Sequence, residues 1–393
     1  MKYIIFKSET DSLNTFAHLI ADGLIQAGRK VLLADMRAED HARNEVMAFT
    51  EPGNTVAFFL NHTGLNLLTK ERDSIWNTLN VDCYDFIVDH PMYYHPALIF
   101  PIRRLTFLCV DLNHIKFIRR FYPKVKCAFF PHAGIVADQP TIPFEERSMD
   151  ILFTGAYLID DSVEFHTQGL GGGLAQVWRE CFEMLKKHTH YTLEQAVETC
   201  FCEKGIQLPQ EDLRDTVRLF RDMDGMIRSY ARSNVVKILA DHDIKLHVYG
   251  EGWERLDCKQ ENLTVHSRIP FDETIPLMAD AKIVLNVMPW FKAGIHDRVF
   301  SAMLNQSVCL TDSSEYMARF LEDGKNAILF SLDQLKELPE KLKHYLQRPQ
   351  LLKEIAACGY KYAKDTQTWQ ARAQLLIEIA EHSEANAKEG ILS

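Results

Sequence analysis

The residue types best suited to chemistry gather after an apolar run that ends near Val287. Leu285-Asn286-Val287 is followed by Met288-Pro289-Trp290-Phe291-Lys292-Ala293-Gly294-Ile295, and then by His296-Asp297-Arg298. A strand, a loop with Pro and Gly, and a helix starting at His-Asp-Arg put unpaired backbone N–H groups and partial positive charge at one point. Such a helix start suits a diphosphate. Arg298 could add bidentate phosphate contacts. Trp290 offers a face for a base or a sugar ring. The next strand, Val308 to Leu310, ends in Thr311-Asp312-Ser313-Ser314, a second helix entrance with hydroxyls. The plainer alternative is that Asp297 and Ser313 cap helices and Trp290 packs in the core.

Imidazoles and carboxylates follow three earlier strands. The segments read Val88-Asp89-His90-Pro91, Val110-Asp111-Leu112-Asn113-His114 and Phe130-Pro131-His132-Ala133-Gly134. In a parallel sheet all carboxyl ends share one edge, where ligands bind. The spacing therefore predicts a polar site there, with turn and helix-cap roles as the alternative. Asp111 in particular could cap a helix over Ile115 to Phe121.

The elements that must position these residues alternate. Tyr3 to Phe6 reads as a strand; Phe16, Leu19, Ile20, Leu24 and Ala27 recur at helical spacing, and Gly28 stops the helix. Val31 to Ala34 is the next strand, so the start is a βαβ unit with a parallel sheet. Its first turn, Ser8-Glu9-Thr10-Asp11-Ser12, has no glycine. Backbone cannot approach a pyrophosphate there as a Gly-x-Gly-x-x-Gly loop allows, which excludes a nicotinamide fold. Further strands are predicted at Val56–Leu60, Phe86–Val88, Leu105–Val110 and Lys126–Phe130. After Asp150–Phe153 the alternation lapses into about seventy residues of helical pattern, 161–232. Strands resume at Leu246–Tyr249, near Val265, and at Ile283–Val287, Val308–Leu310 and Ile328–Phe330, with helices closing the chain. The glycine run from Gly169 to Gly173 lacks a Lys-Ser/Thr partner and reads as a surface loop.

Composition narrows the function classes. The 393 residues are 47% hydrophobic and 25% charged, room for about two domains. A net charge of -10 disfavours nucleic acid and anionic membranes as the main partner. No apolar run approaches the roughly 20 residues of a membrane span, and the N-terminus turns polar at Lys7-Ser8-Glu9, too soon for a signal-peptide core. Nine scattered cysteines fit free thiols in a reducing cytoplasm. Cys200-x-Cys202 has the wrong spacing for a zinc knuckle. Asp222-x-Asp224 and Asp241-x-Asp243 fall at helix ends rather than strand ends, so no metal site is expected.

The pattern resembles GT-B-fold group 1 glycosyltransferases, and among them the group similar to the spore-maturation protein CgeB. The residues that carry the resemblance are Tyr249-Gly250-Glu251-Gly252-Trp253, Leu285-Asn286, Gly294-x-His296-x-Arg298-x-Phe300 and Leu310-Thr311-Asp312. Gly359-Tyr360-x-x-Ala363, Thr368-Trp369 and Arg372 match its closing helices, and the three strand endings above match its N-terminal region. The resemblance implies an α/β protein with two Rossmann-like domains facing a cleft and a helical insertion in the second half. Expected boundaries are 1–145 on the acceptor side, 146–365 for the nucleotide-sugar, and 366–393 as a helix returning to the first domain. It implies donor contacts at Gly250, Glu251, Trp253, Asn286, Trp290, Gly294, His296, Asp297, Arg298, Ser301, Asp312, Ser313 and Ser314. Asp111 ranks first for taking the acceptor proton, with His114, and Asp89 and His90 second. His132 falls at the domain junction, and Tyr93 and Tyr94 could stack on a sugar.

The expected activity is transfer of a sugar from a nucleotide-sugar, with a UDP-sugar as the donor, to a glycan or protein hydroxyl. No cofactor and no metal are expected, and the protein is expected in the cytoplasm. One departure stands out: the Glu-x7-Glu motif of many retaining relatives is replaced by Ala293 and Ser301. The departure leaves two alternatives, a nucleotide-sugar epimerase of the same fold and a weakly active nucleotide-sugar-binding protein.

Overall fold

The structure, a computed structural model, describes residues 1–157 and 163–381. It divides into two compact units, Met1–Ala133 with Asp365–Ser393, and Gly134–Lys364. The residues between 134 and 145, expected in the first domain, belong to the second unit. Each unit is built on a six-stranded sheet flanked by helices.

The first sheet contains β1 (Lys2–Lys7), β2 (Lys30–Asp35), β3 (Thr55–Leu60), β4 (Asp82–Ile87), β5 (Leu105–Cys109) and β6 (Lys126–Phe129). Its order is β2-β1-β3-β4-β5-β6, and all neighbours are parallel. The central strands are continuous apolar runs because helices cover both faces: Tyr3 to Phe6 and Val56 to Leu60 are wholly buried. The chain leaves β1 first for β2 and then for β3 on its other side. The carboxyl ends of β1 and β3 thus form a topological switch point, where the flanking loops diverge and leave a crevice.

The second sheet contains β7 (Met149–Thr154), β8 (Leu246–Tyr249), β9 (Leu263–His266), β10 (Ala281–Asn286), β11 (Val308–Asp312) and β12 (Ile328–Phe330), in the order β12-β11-β10-β7-β8-β9. Its switch point lies between β7 and β10. The connection from β7 to β8 carries the helices Val163–Thr167, Gly172–Lys187, Leu193–Glu203, Gln210–Leu219 and Met223–Asp241. The start expected for this insertion, Asp161, lies outside the described residues. Its expected end at Arg232 falls inside one unbroken helix, whose Val235, Val236, Leu239 and Ala240 are buried in the core of the second unit. The Gly169–Gly173 run reaches a helix start: Gly171 is its N-cap, with open space around it.

The helix Trp369–Glu381 belongs to the first unit and packs along the first helix, Asp11–Gln26. Phe16 stacks on Trp369 with ring centroids 4.8 Å apart. A Cβ on Gly23 would lie 2.8 Å from the Cβ of Ala373, so the helices meet where only glycine fits. The nine cysteines are free thiols, and Cys83, Cys109, Cys127 and Cys309 are buried. Among the described residues no helix is long and apolar enough to cross a membrane.

Candidate functional site

The carboxyl ends of β7, β8, β10 and β11 bring the polar residues of the second unit together. At the switch point Arg298 bridges two strand ends. Its Nε donates to Thr154 Oγ1 at 3.1 Å, one terminal nitrogen to the Thr154 carbonyl at 2.6 Å, and the other to Asn286 Oδ1 at 2.9 Å. Asn286 in turn donates to Thr311 Oγ1 at 2.9 Å. Arg298 and Asn286 are therefore held by the protein itself. The guanidinium lies 5.6 Å from the ring centroid of Phe153, and burial lowers its pKa.

A second guanidinium faces the same ring. Arg232, from the helix Met223–Asp241, lies 6.0 Å from the Phe153 centroid. Its Nε is buried and has no hydrogen-bond partner among the described residues. Burial, together with the charges of Arg298 and Arg228, pushes its pKa down to about 9. Two cations share one ring and one of them keeps a buried donor, so an anion there would satisfy the donor and relieve the repulsion. The sequence reading did not include Arg232. Its sequence signal is the pair Arg228 and Arg232, four residues apart on the helix before β8.

The helix start is built as a cap. His296, not Asp297, is the N-cap of the helix Asp297–Leu304; its Nδ1 accepts from the Arg298 backbone N–H at 3.2 Å. Asp297 sits in the first turn beside it, 2.8 Å from His296 Nδ1. Burial lowers the His296 pKa, against the pull of Asp297. Asp312 ends β11 and accepts the Met288 N–H at 2.8 Å. Burial pushes its carboxyl up to about 6, against that hydrogen bond and the charges of Lys292 and Arg232. Ser314 donates to the Gly294 carbonyl at 2.6 Å and caps the turn at Met317, which pins the loop. Ser313 is exposed, Gly294 buried and Trp290 half-buried.

Three residues expected at the donor have other places. Trp253 is completely buried; its Nε1 donates to the Gly155 carbonyl at 2.7 Å and its ring stacks on Tyr157. Ser301 is completely buried and accepts from the Ile135 N–H at 3.1 Å. Gly250 is buried where the loops after β7 and β8 zip together. A Cβ on it would lie 2.4 Å from the Gly155 carbonyl oxygen, and its φ of +148° lies outside the range side chains favour. The Gly-x-Gly-Trp run thus shapes the loop by close backbone approach, and Glu251 is its exposed side chain.

In the first unit the four proton-transfer candidates separate by exposure. Asp111 is 1% exposed and caps its helix, accepting from the Asn113 N–H at 2.6 Å. The cap commits one of its carboxylate oxygens to the start of the helix Leu112–Phe121. His90 and His114 are buried with ring centroids 4.9 Å apart, and burial lowers both, His90 to about 3. They stay neutral and serve packing; His90 Nδ1 also caps the turn at Met92. Asp89 alone of the four is half-buried. Its Oδ2 accepts from Asn61 Nδ2 at 3.1 Å and from the Tyr94 hydroxyl at 2.9 Å, which aims the carboxylate at the sheet edge. Tyr94 thus positions Asp89. His132 ends the first unit one residue before its boundary, packed between Phe16 and Phe86, with its carbonyl accepting from Arg372 at 2.8 Å.

Residues 228–378 match the family described as glycosyl transferase-like. No curated protein sequence matches the chain. Solved structures share its fold along its whole length. The sucrose-phosphate synthase of Thermosynechococcus elongatus aligns at a TM-score of 0.53 and 9% identity, covering 98% of this chain and 100% of that one. A DNA-modifying β-glucosyltransferase, solved in the presence and absence of uridine diphosphoglucose, aligns at 0.53 and 11%, covering 97% and 99%. A glycosyltransferase of Rickettsia africae ESF-5 aligns at 0.50 and 9%, covering 98% and 99%. The fold is the GT-B fold, two Rossmann-like units in one chain.

Proposed function

We propose that the protein is a glycosyltransferase that moves a sugar from a nucleoside-diphosphate sugar, a UDP-sugar, to a hydroxyl of a glycan or protein acceptor. The observation that carries this reading is the guanidinium of Arg232, whose buried Nε has no partner among the described residues, beside Arg298 at the switch point of the second sheet. A diphosphate ester has the charge and the acceptor oxygens that such a site lacks. The match of residues 228–378 to a glycosyl transferase-like family supports the same reading, as does the finer resemblance to the CgeB-like group.

In the transfer, the acceptor oxygen bonds to the anomeric carbon of the donor sugar and the bond from that carbon to the β-phosphate oxygen breaks. The nucleoside diphosphate leaves with the electron pair, and the acceptor proton passes to the Asp89 carboxylate. Arg232, the helix start at His296 and the charge of Arg298 stabilise the leaving diphosphate. We read the transfer as independent of a divalent metal. The Asp-x-Asp carboxylates are engaged elsewhere: Asp224 with Arg228, Asp241 with Lys237 and Asp243 with Lys259. The net charge of -10 favours a glycan or protein acceptor over nucleic acid.

Mass spectrometry after incubation with a panel of nucleotide-sugars tests the reading. Free nucleoside diphosphate with a glycosylated acceptor is the expected result. An isomerised nucleotide-sugar, or binding without turnover, would replace it with an epimerase or a binding protein.

A further inference from the structure

The first sheet has a second edge, at the amino ends of its strands, where none of the proton-transfer candidates lies. A cavity of about 430 Å³ opens there, between the segment 99–104 that enters β5 and the turn at 122–125 that enters β6. The short helix His95–Leu98 closes one side of it. β5 has five residues, so about 16 Å of strand separates the cavity from the carboxyl edge. Its volume falls within the roughly 300–1,000 Å³ of small-molecule sites.

The floor is apolar. Leu98, Ile102, Leu105, Phe107 and Tyr122 line it, and all five are buried. The Tyr122 hydroxyl is engaged by His95 Nδ1 at 2.8 Å, so its ring carbons face the remaining space as hydrocarbon. Ile99 stands at the rim and is 60% exposed. A molecule seated here would cover it and gain from doing so.

The mouth is cationic. The charged residues of the lining are Arg103, Lys124 and Lys126, all exposed, and the lining holds no carboxylate. In a chain of net charge -10 this is a local reversal of sign. Arg104, next to Arg103, shows the contrast: its Nε donates to Asp82 at 2.8 Å. Arg103, Lys124 and Lys126 form no ion pair among the described residues.

The walls are set before anything binds. Asn77 clamps one of them: its Nδ2 donates to the Pro101 carbonyl at 2.7 Å, and its Oδ1 accepts the Arg103 N–H at 2.9 Å. The other is a turn closed by the Val125 N–H on the Tyr122 carbonyl at 2.9 Å. A ligand therefore meets backbone that is already ordered.

Apolar floor and cationic mouth match a molecule with the opposite halves, a hydrocarbon chain that ends in an acid. A sugar would leave its hydroxyls without partners on that floor. Docking on a bilayer takes apolar side chains that protrude into lipid, whereas this apolar surface is recessed. We propose that the cavity is a binding site for a single-chain carboxylic acid of medium length, at the edge of the first sheet opposite the transfer chemistry. The chain fills the floor, and the carboxylate stays at the mouth with Arg103 and Lys124.

Calorimetry on the full chain tests this with octanoate, decanoate and dodecanoate as monomers. Octanol and octylamine present the same kind of chain without the negative charge. One octanoate should bind per chain, and affinity should rise roughly tenfold for each two carbons added until the cavity is full. Octanol should bind about tenfold more weakly than octanoate, and octylamine more weakly still. Arg103→Gln combined with Lys124→Gln should bring octanoate down to the level of octanol and leave octanol unchanged. Both positions are exposed, so the double variant should melt like the wild type. Ile99→Asp, also at an exposed position, should weaken every chain about fivefold. Equal affinity for octanoate and octanol, or tighter binding of octylamine, overturns the proposal. So do variants that melt and bind octanoate like the wild type, and so does the lack of saturable binding by any of the three acids. Pelleting with phosphatidylglycerol vesicles by a chain that takes up no monomeric decanoate would replace the cavity site with a lipid-docking surface.

Discussion

Arg298 and Arg232 carry the same charge, yet they differ in what remains of their hydrogen-bonding capacity. Three of the Arg298 donors are committed to Thr154 and Asn286, while Arg232 keeps a buried Nε without a partner among the described residues. Arg232→Ala should therefore weaken UDP-sugar binding about 100-fold, the scale of a charge-assisted bidentate contact. The melting temperature should fall less than in Arg298→Ala, since the change loses packing on Phe153 but no hydrogen bond from Nε. Arg298→Ala should lower both, because it orphans the Thr154 carbonyl and Asn286, a loss of about 3 kcal/mol. Calorimetry and thermal melts on the two variants separate the roles; equal loss of stability in both would reject the distinction. On the acceptor side, Asp89→Asn should reduce kcat about 100-fold with donor affinity kept. Asp111→Ala should cost about 1 kcal/mol of stability through the lost cap, with kcat nearly unchanged. Asp312 adds a pH signature. Its carboxyl titrates near 6, and above that pH it places a negative charge by the anion site. Affinity for a UDP-sugar, whose diphosphate does not titrate there, should fall as pH rises through about 6 in the wild type. In Asp312→Asn the inflection should vanish.

At the scale of elements, sequence and structure agree where a physical pattern is continuous and part where one residue type serves two purposes. Every strand expected from an apolar run is present, because strands buried on both faces have no polar positions to blur the pattern. The insertion is expected to end near Arg232, yet Met223–Asp241 is one helix, because a helical period carries no mark of where an insertion ends. Asp111 and Asp89 both follow strands, and the preference for Asp111 rests on the family resemblance rather than on the residues themselves. Only the cap to Asn113 and the contacts from Asn61 and Tyr94 distinguish them. Gly250, expected at the nucleotide, is a place of close packing, and so are glycines outside the donor set. Gly134 is the clearest: a Cβ there would sit 2.5 Å from the Phe300 backbone carbon, in the helix that starts at the anion site. Gly134→Ala should therefore displace that helix, destabilise the second unit by about 2–3 kcal/mol in urea unfolding, and weaken donor binding with it. Ala at Gly171, which meets open space, is the matched control and should leave both unchanged.

At the scale of the whole molecule the chain leaves the first unit after Ala133 and returns to it at Asp365. The first unit is therefore finished by the last helix, so its stability depends on residues made after the whole second unit. The end of that helix is fastened by Glu381. Its carboxylate accepts from Arg29 Nε and a terminal nitrogen, both at 2.8 Å, and from the Tyr3 hydroxyl at 3.0 Å. Burial pushes the Glu381 pKa up, but the hydrogen bonds and charge of Arg29 and the Tyr3 bond outweigh it, and the net shift is downward. An acid with a depressed folded pKa stabilises the fold above its unfolded value, about 4.3, and loses that contribution as pH falls through the folded value. Glu381→Gln should thus cost about 1–2 kcal/mol at pH 7, and the gap to the wild type should close as pH drops below about 4. Urea unfolding followed by the fluorescence of Trp76 and Trp369, both buried in the first unit, reads this directly when the other three tryptophans are replaced by Phe. A gap that stayed constant from pH 7 to 3 would mean that the helix is held by Phe16 and Trp369 packing alone and not by the ion pair.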